Sequence, residues 1–544
     1  MLGLICKALA FYVIYWVLWK SFRRFAVKTP IDNIPGPKAK SWFGVLPQLF
    51  NRNAWAFHDE IILKYGRVTK IEAVLGEKQL YVTDPLALHH IIVKEQAIYE
   101  ETEGFLALNN LTFGAGLLST LGDQHKKQRR ILNPVFSSAR MREMVPIFND
   151  VAEKLHDALN TRAQNGPVEI DILSWVSRTA LELVGQSGFG YSFDSLTEDK
   201  QGHPFAAAVK RLEPAKGKLA IARVYLVPLV VKIGTPSFRR RVMDLIPWKV
   251  LHDIRDVVDI LDETSLAIYN SAKAALAQGD DALSNRIARG KDIMSVLLKA
   301  NREASDKDKI SEVELMGQIS TIIFAATDTT SSALSRILFL LSKHQDVQDK
   351  LREEVWTAFK DKEQLSYDDL NDLTYLDAIC RETLRLYPPV PIVARITRQD
   401  TVLPLGAPIQ GLDGREISEI PIENNTNIIV SIIGCNRDPT LWGDDSLEWK
   451  PERWLRPLPE TITNAHVPGV YSNLMTFLGG GRACIGFKFS QLEMKVVLTV
   501  LLKSFKFSLT NAEVVWQWNA ITSPAVRDRE GAQLPLVVEL VNKH

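Results

Sequence analysis

Cysteine is scarce in this chain: 544 residues contain four, Cys6, Cys380, Cys435 and Cys484. They form no CxxC pair and no regular spacing, which argues against a structural zinc site or a disulfide framework and fits a reducing compartment. Charge excess is also missing. The formal net charge is +1 with 24% charged residues, so no nucleic-acid partner is indicated. Long low-complexity linkers and internal repeats are absent, which excludes solenoid architectures. What remains is ordinary globular composition, 46% hydrophobic, enough for one large core or two to three smaller ones.

One apolar run stands out. MLGLICKALAFYVIYWVLW, Met1 to Trp19, is broken only by Lys7 and approaches the ~20 residues that a helix needs to cross a bilayer. Tyr12, Tyr15, Trp16 and Trp19 suit the interface, and Lys7 can snorkel to the headgroups. Lys20, Arg23, Arg24 and Lys28 follow at once, so the positive-inside rule keeps the rest of the chain cytoplasmic. A cleaved secretory signal would carry its charges first and small residues after the run, and this segment does neither. A membrane anchor is expected over 1–20. In IDNIPGPKAKSWFG, Ile31 to Gly44, the Pro35-Gly36-Pro37 turn cannot continue a helix. Residues 21–44 read as a basic stop and stiff hinge, and 45–544 as the globular body.

Helical periodicity dominates that body. NDVAEKLHDALNTRA, LMGQISTIIFAATDTTSSALSRILFLLSKH, VQDKLREEVWTAF and FSQLEMKVVLTVLLKSF all space apolar residues by three and four. Strand-prone runs are fewer: GRVTKIEAVLGEKQLYVTD, NNTNIIVSII and LPLVVEL. The expected class is mainly α with small β-sheets.

Cys484 sits in FLGGGRACIG, Phe477 to Gly486. A thiolate is a soft, strong metal ligand whose charge needs nearby donors or cations. The glycines let the loop fold tightly and offer backbone N–H groups, Arg482 adds a cation, and a helical pattern begins at Phe487, whose N-terminal dipole favours an anion. A phosphate-cradling loop would want Lys followed by Ser or Thr, which is lacking. By spacing alone, a buried structural cysteine remains the commoner fate of such a residue.

Phe477, Gly480, Arg482, Cys484 and Gly486 together resemble the F-x-x-G-x-R-x-C-x-G haem loop of the cytochromes P-450. The resemblance implies that family's fold, haem b as cofactor and Cys484 as the axial iron ligand. Other motifs agree with it in family order. ETLR, Glu382 to Arg385, is similar to the K-helix E-x-x-R, and a Glu and an Arg three apart share a helix face. With Arg453 in PERW they would form a structural network, although the family more often has Phe where Trp454 stands. FAATDTTSS, Phe324 to Ser332, resembles the I-helix oxygen-activation motif, with Ala326 at the usual Gly position and a slightly narrower groove implied. There Thr329 would donate protons through its hydroxyl and Asp328 would relay them inward, while the Cys484 thiolate pushes electron density onto the iron. As a bare helix, the same Thr residues would bond back to the preceding turn.

GDQHKKQRR, Gly122 to Arg130, resembles the C-helix W-x-x-x-R, with His125 in the Trp position as a pH-sensitive ring donor and Arg129 as the Arg. The resemblance implies that these two, Arg395 and Arg482 hold the haem propionates. Lys126, Lys127 and Arg130 suit either the docking of an acidic electron donor or a solvated helix face.

Anchor, hinge and length are similar to the eukaryotic microsomal type, and DPTLWGDDSLEWKPERW, Asp438 to Trp454, is similar to fungal members. That implies a single-pass protein of the endoplasmic reticulum membrane using O2 and NADPH-derived electrons. The electrons would come from a separate NADPH–cytochrome P-450 reductase, with cytochrome b5 as an optional second donor. The family's substrate regions fall here on Phe105, Leu108, Leu111, Phe113, Leu117, Phe324, Ala325, Ile392, Val393 and Ile521, an apolar and bulky set suited to a lipophilic ligand. KLAIARVYLVPLVVKIG, Lys218 to Gly234, reads either as a segment dipping into the bilayer or as a core helix. The expected activity is monooxygenation of a terpenoid, by family analogy, with steroid, fatty acid, polyketide and xenobiotic aromatic substrates open. A haem-thiolate isomerase or dehydratase would have less use for Asp328 and Thr329, and a non-catalytic haem binder would need only Cys484.

Overall fold

The structure, a computed structural model, describes residues 11–12, 15, 18–19, 22, 27–197, 203–278, 292–303 and 309–541. The span expected over 1–20 lies mostly outside them, and among the described residues no helix is long and apolar enough to cross a membrane. The chain divides into two compact units.

The first unit comprises Met1–Thr102, Ile392–Asp444 and Thr461–Gly481. Its main sheet contains β1 (Val68–Glu72), β2 (Lys78–Val82), β3 (Tyr99–Glu100), β4 (Ile392–Thr397) and β5 (Asn427–Ser431), in the spatial order β1-β2-β5-β4-β3. Only β2 and β5 run parallel, with Leu80 opposite Ile428. These two central strands are buried along nearly their whole length, which suits their runs of Leu, Tyr, Ile and Val. The Pro-rich stretch is pinned to this unit. Ile31 and Ile34 are buried, and Pro35 O accepts the Lys70 N–H at 3.0 Å. From Pro30 onward the expected hinge is therefore an ordered strap along β1.

The second unit comprises Glu103–Pro391, Asp445–Glu460 and Arg482–His544. Its main helices include α1 (Glu103–Phe113), α2 (Gly122–Leu132), α3 (Ser138–Ala163), α4 (Ile172–Leu183), α5 (Pro204–Lys218), α6 (Lys249–Ala277), α7 (Glu312–Lys343), α8 (Gln345–Ala358), α9 (Thr374–Leu386) and α10 (Phe487–Ser504). LPLVVEL forms the middle strand of a small antiparallel sheet, between Val168–Asp171 and Phe505–Leu509.

The 32-residue α7 is the axis of this unit, with α4, α6, α8 and α10 against it. It opens with a capping box in which Ser311 Oγ accepts from Glu314 N–H and Glu314 accepts from Ser311 N–H. Its many hydroxyls are buried and tie neighbours in: Ser320 Oγ meets Ser265 Oγ at 2.7 Å, and Ser332 Oγ donates to Thr522 O at 2.6 Å. Glycine is required where α7 meets the loop after α1. A Cβ on Gly317 would stand 2.7 Å from Gly116 N, and one on Gly116 only 2.5 Å from Gly317 O.

The core-helix reading of Lys218–Gly234 is not what the chain adopts. Two short helices, Ala220–Tyr225 and Val227–Val230, leave Leu226, Leu229, Val230 and Ile233 exposed.

Candidate active site

Between Gly317 and Leu338, burial along α7 is interrupted at one place. From Gly317 to Leu338 every residue is buried except Ala325, Ala326 and Thr329. Positions one turn apart share a helix face, so these three form a single accessible strip of small side chains in the middle of a buried helix. Thr329 Oγ1 donates to Ala325 O at 2.6 Å, the back-bond that a mid-helix threonine ordinarily makes. Beside it, Asp328 is buried, and its Oδ1 accepts from Lys210 Nζ on α5 at 2.5 Å. Thr330, on the other side, reaches Ser490 on α10 at 3.4 Å.

Cys484 lies three residues before α10 begins. Protein encloses it, and burial pushes its thiol up from the ordinary range, against the opposing Gly486 N–H and the charge of Arg129. Yet the side chain keeps accessible surface, so the sulfur is walled in but open on one side. No steric demand from the protein explains glycine at 486, since a Cβ there would meet only Phe136, at 3.9 Å.

Three nitrogen side chains gather near this loop. Arg129 donates to Ala483 O at 2.6 Å, and Arg482 donates to Leu117 O at 3.1 Å and Thr120 O at 2.6 Å. His125 is buried, and its pKa is pulled down to about 3, first by burial and then by the charges of Arg482 and Arg129. Burial and the two guanidinium charges thus favour the neutral form of this ring. Excess positive charge beside a neutral ring donor suits the carboxylates of a ligand.

The segment that presents these carbonyls is itself held rigidly. Leu117 donates its N–H to Gln318 Oε1 at 3.2 Å, and Thr120 Oγ1 donates to Gln128 Oε1 at 2.9 Å. Gln128 in turn donates to Ala115 O and Glu314, both at 3.0 Å.

The family model described as Cytochrome P450 matches residues 34–518. The chain belongs to the cytochrome P450 family. Cytochrome P450 monooxygenase 91 of Postia placenta is 51% identical over 529 residues, covering 97% of each chain. Cytochrome P450 monooxygenase 212 of the same fungus is 48% identical over 527 residues, 96% of each. The ganoderic acid synthetase CYP5150L8 of Ganoderma lucidum is 41% identical over 529 residues, again 96% of each. This P450 is an oxidoreductase of the monooxygenase type, and the family implies a haem iron that works with O2. The residues present fit that group: an enclosed thiol open on one side, two arginines with a neutral histidine near it, and an accessible strip of small residues on α7.

The P450 network around Glu382 is more extensive than the sequence motif suggests. Arg385 binds Glu382 through two bonds, at 2.9 and 2.8 Å, with both side chains fully buried. Arg385 also donates to Ser446 O at 2.7 Å, and Arg453 reaches Glu382 at 3.4 Å and Asp445 at 2.8 Å. Trp454, where the family more often has Phe, donates its indole N–H to Glu382 Oε2 at 3.0 Å. That departure is a compensated one: the indole adds a donor to a buried carboxylate. Removing one partner of such a pair costs about 3–5 kcal/mol.

The remaining motif residues belong to the first unit. Arg395 is buried, donates to Ala394 O at 2.8 Å and pairs with Glu101 at 3.4 Å, so a carboxylate of the chain already contacts the guanidinium. Phe477 packs edge-on to Tyr471, and Gly480 has φ +63 with Ile92 O pressed where a Cβ would be. Ile392 and Val393 are half-buried on β4.

Of the substrate set in the second unit, Phe113 and Phe324 stack with centroids 4.6 Å apart. Leu117 and Ile521 are buried, Leu108 is half-buried, and Phe105 and Leu111 are exposed. Lys210, the partner of Asp328, was not legible in sequence, since nothing local distinguishes it from other lysines on an amphipathic helix. Glu493 had a signal, a lone acid within the apolar run of α10. It is fully buried, and burial holds its carboxyl well above the usual range, against a lowering contribution from Thr330.

Proposed function

We propose that this chain is a membrane-tethered P450 that takes electrons singly from NADPH through a separate reductase and hydroxylates a bulky lipophilic terpenoid. The observation that carries the reading is the occurrence together of an enclosed but accessible Cys484 and the accessible Ala325–Ala326–Thr329 strip within the buried Gly317–Leu338 stretch of α7. The ganoderic acid synthetase among the relatives supports a terpenoid substrate.

Haem, when bound, supplies a redox iron at which O2 is reduced and one oxygen atom passed to substrate. Cys484 would hold it, its charge balanced by the Gly486 N–H and Arg129. Arg129, Arg482 and His125 would hold its carboxylates. On α7, small side chains at 325 and 326 leave room beside the Thr329 hydroxyl. That hydroxyl, now bonded to Ala325 O, can rotate to donate a proton and be recharged by the adjacent Asp328. Lys210, partly exposed, connects Asp328 toward solvent.

Two surface features support the expected partners. On α2 the buried His125 and Gln128 face away from exposed Lys126 and Arg130, giving a basic surface for an acidic electron donor. Exposed Leu226, Leu229, Val230, Ile233, Leu245 and Trp248, interspersed with Lys232 and Arg239, suit the surface of an endoplasmic reticulum membrane.

The test is product formation by the full chain in microsomes with a reductase, against a terpenoid panel under labelled O2. The expected result is NADPH-dependent product carrying one labelled oxygen atom. Turnover independent of NADPH, or product without label, would contradict the reading.

A further inference from the structure

In the first unit the stretch KAKSWF, Lys38 to Phe43, is exposed without a break. Trp42 is 77% exposed and Phe43 49%, although Val45, Leu46 and Leu49 directly after them are buried. This exposure is not looseness. Leu75, at the tip of the β1–β2 hairpin, donates its N–H to Trp42 O at 2.8 Å, and Val45 donates to Glu72 O at 2.9 Å. Phe43 N–H donates to Ser41 Oγ at 3.2 Å. Gly44 has φ +62, and a Cβ there would stand 1.9 Å from Glu72 O, so the turn can lie this close to β1 only with glycine. The fold thus holds two large aromatic side chains in water on a fixed backbone.

The same hairpin marks where the chain arrives from its apolar N-terminal run. Lys78, opposite Glu72 at the closed end of the hairpin, donates to Val27 O at 3.5 Å and to Asp32 Oδ2 at 2.6 Å. Val27 O and Trp42 O are therefore both bound at one end of one hairpin. Charge agrees with this placement. Lys20, Arg23, Arg24 and Lys28 lead into it, Lys38 and Lys40 follow, and no acidic residue occurs from Ile34 to Phe50. Ammonium groups beside an indole and a phenyl ring are the composition that the polar boundary of a bilayer favours. The rings sit at headgroup level, and the cations meet lipid phosphates.

We propose that residues 38–43 are a second membrane contact, in which Trp42 and Phe43 enter the headgroup region and Lys38 and Lys40 bind anionic lipid. The inference rests on the membrane-tethered reading and adds a fixed point on the folded body to it. An N-terminal tether alone leaves the first unit able to turn about its entry strap. A rigid aromatic turn beside that strap fixes one end of the hairpin at the lipid surface.

The test uses the haem-loaded full chain, carrying Cys6→Ser, in vesicles of equal parts phosphatidylcholine and phosphatidylserine. Of the remaining thiols Cys380 and Cys435 are buried, and Cys484 is the proposed haem ligand. A nitroxide is attached through Ala39→Cys, an exposed position between the two lysines. Its collisions are measured with oxygen, which dissolves in lipid, and with a nickel chelate, which stays in water. The label at 39 is expected to favour oxygen, and to lose that preference in Trp42→Ser/Phe43→Ser. Lys38→Glu/Lys40→Glu, or vesicles of phosphatidylcholine alone, should weaken it. A label at 39 that meets nickel as an ordinary surface site does, or that is shielded from both reagents as under a protein partner, would overturn the proposal. So would an oxygen preference that survives loss of both rings. The wild-type reading stands even if a variant fails to fold. A second label, on Leu18→Cys, reports the tether alone: lipid at 18 with water at 39 sinks this contact only, whereas water at 18 sinks the tethered reading.

Discussion

The ammonium of Lys210 on α5 lies 2.5 Å from Asp328 Oδ1 and 2.9 Å from Ser331 Oγ on α7. The acid of the proposed proton relay is thus already in an ion pair, with side-chain exposures of 20% for Lys210 and 9% for Asp328. If Lys210 connects Asp328 to solvent protons, the two act as one unit. Lys210→Met and Asp328→Asn should each lower turnover about tenfold or more, and the double variant should be no slower than the slower single one. Additive losses in a double-mutant cycle would separate the two residues.

Thr329 is the only hydroxyl on the accessible strip of α7. Thr329→Ala should uncouple the enzyme, with NADPH consumption maintained and hydrogen peroxide released in place of product. The product yield per NADPH is expected to fall about a hundredfold, at the lower end of what a positioned proton donor contributes. Thr329→Ser, which keeps the hydroxyl, should recover most of it. Full coupling in the Ala variant would take Thr329 out of the relay.

Glu382 accepts from Arg385, Arg453, Trp454 and the Lys450 N–H. Arg385→Leu leaves that buried carboxylate without its main partner and should prevent stable folding, consistent with a loss of about 3–5 kcal/mol. Trp454→Phe removes one bond among several and should cost about 1 kcal/mol. Chemical denaturation followed by tryptophan fluorescence and haem release checks both, and a tolerated Arg385→Leu would show that the network is dispensable.

Glu493 makes the stability depend on pH. Burial raises its folded-state pKa well above the ordinary 4.5, so its contribution to stability is fully present below about that pH and is lost as pH rises through the folded value. Glu493→Gln preserves shape without an ionisable proton. It should be at least as stable as wild type at neutral pH and should show a flatter dependence of Tm on pH above about 4.5. A variant less stable at neutral pH with an unchanged slope would mean that the carboxylate is paired and ionised in the native protein.

Most of the fold was readable where one local rule acted alone. The long apolar-periodic segments became α3, α7, α8 and α10 because helical spacing of a buried face leaves little choice. The strand-prone runs became β1, β2, β5 and the Pro535–Leu540 strand because short runs rich in Val, Ile, Leu and Tyr between turn residues favour extended pairing. A contact was legible where its residues lie close in the chain, as at Glu382–Arg385. It was not legible where distant helices meet. Lys210 lies 118 residues before Asp328, and nothing in the local pattern of α5 announces that contact. Trp454 read as a departure because its value lies in a hydrogen bond to Glu382, 72 residues away in sequence. The segment Lys218–Gly234 stayed ambiguous for a related reason: an apolar face looks the same whether it meets a core or a membrane.

The central claim is that Cys484 ligates haem iron as a thiolate in the folded protein. The most direct measurement is the difference spectrum of the reduced, carbon-monoxide-bound full chain in membranes, recorded beside Cys484→Ala. The account predicts a Soret band displaced far to the red in wild type and absent from the variant. A wild-type band at the position of histidine-ligated haem, or an unchanged spectrum in Cys484→Ala, would contradict it.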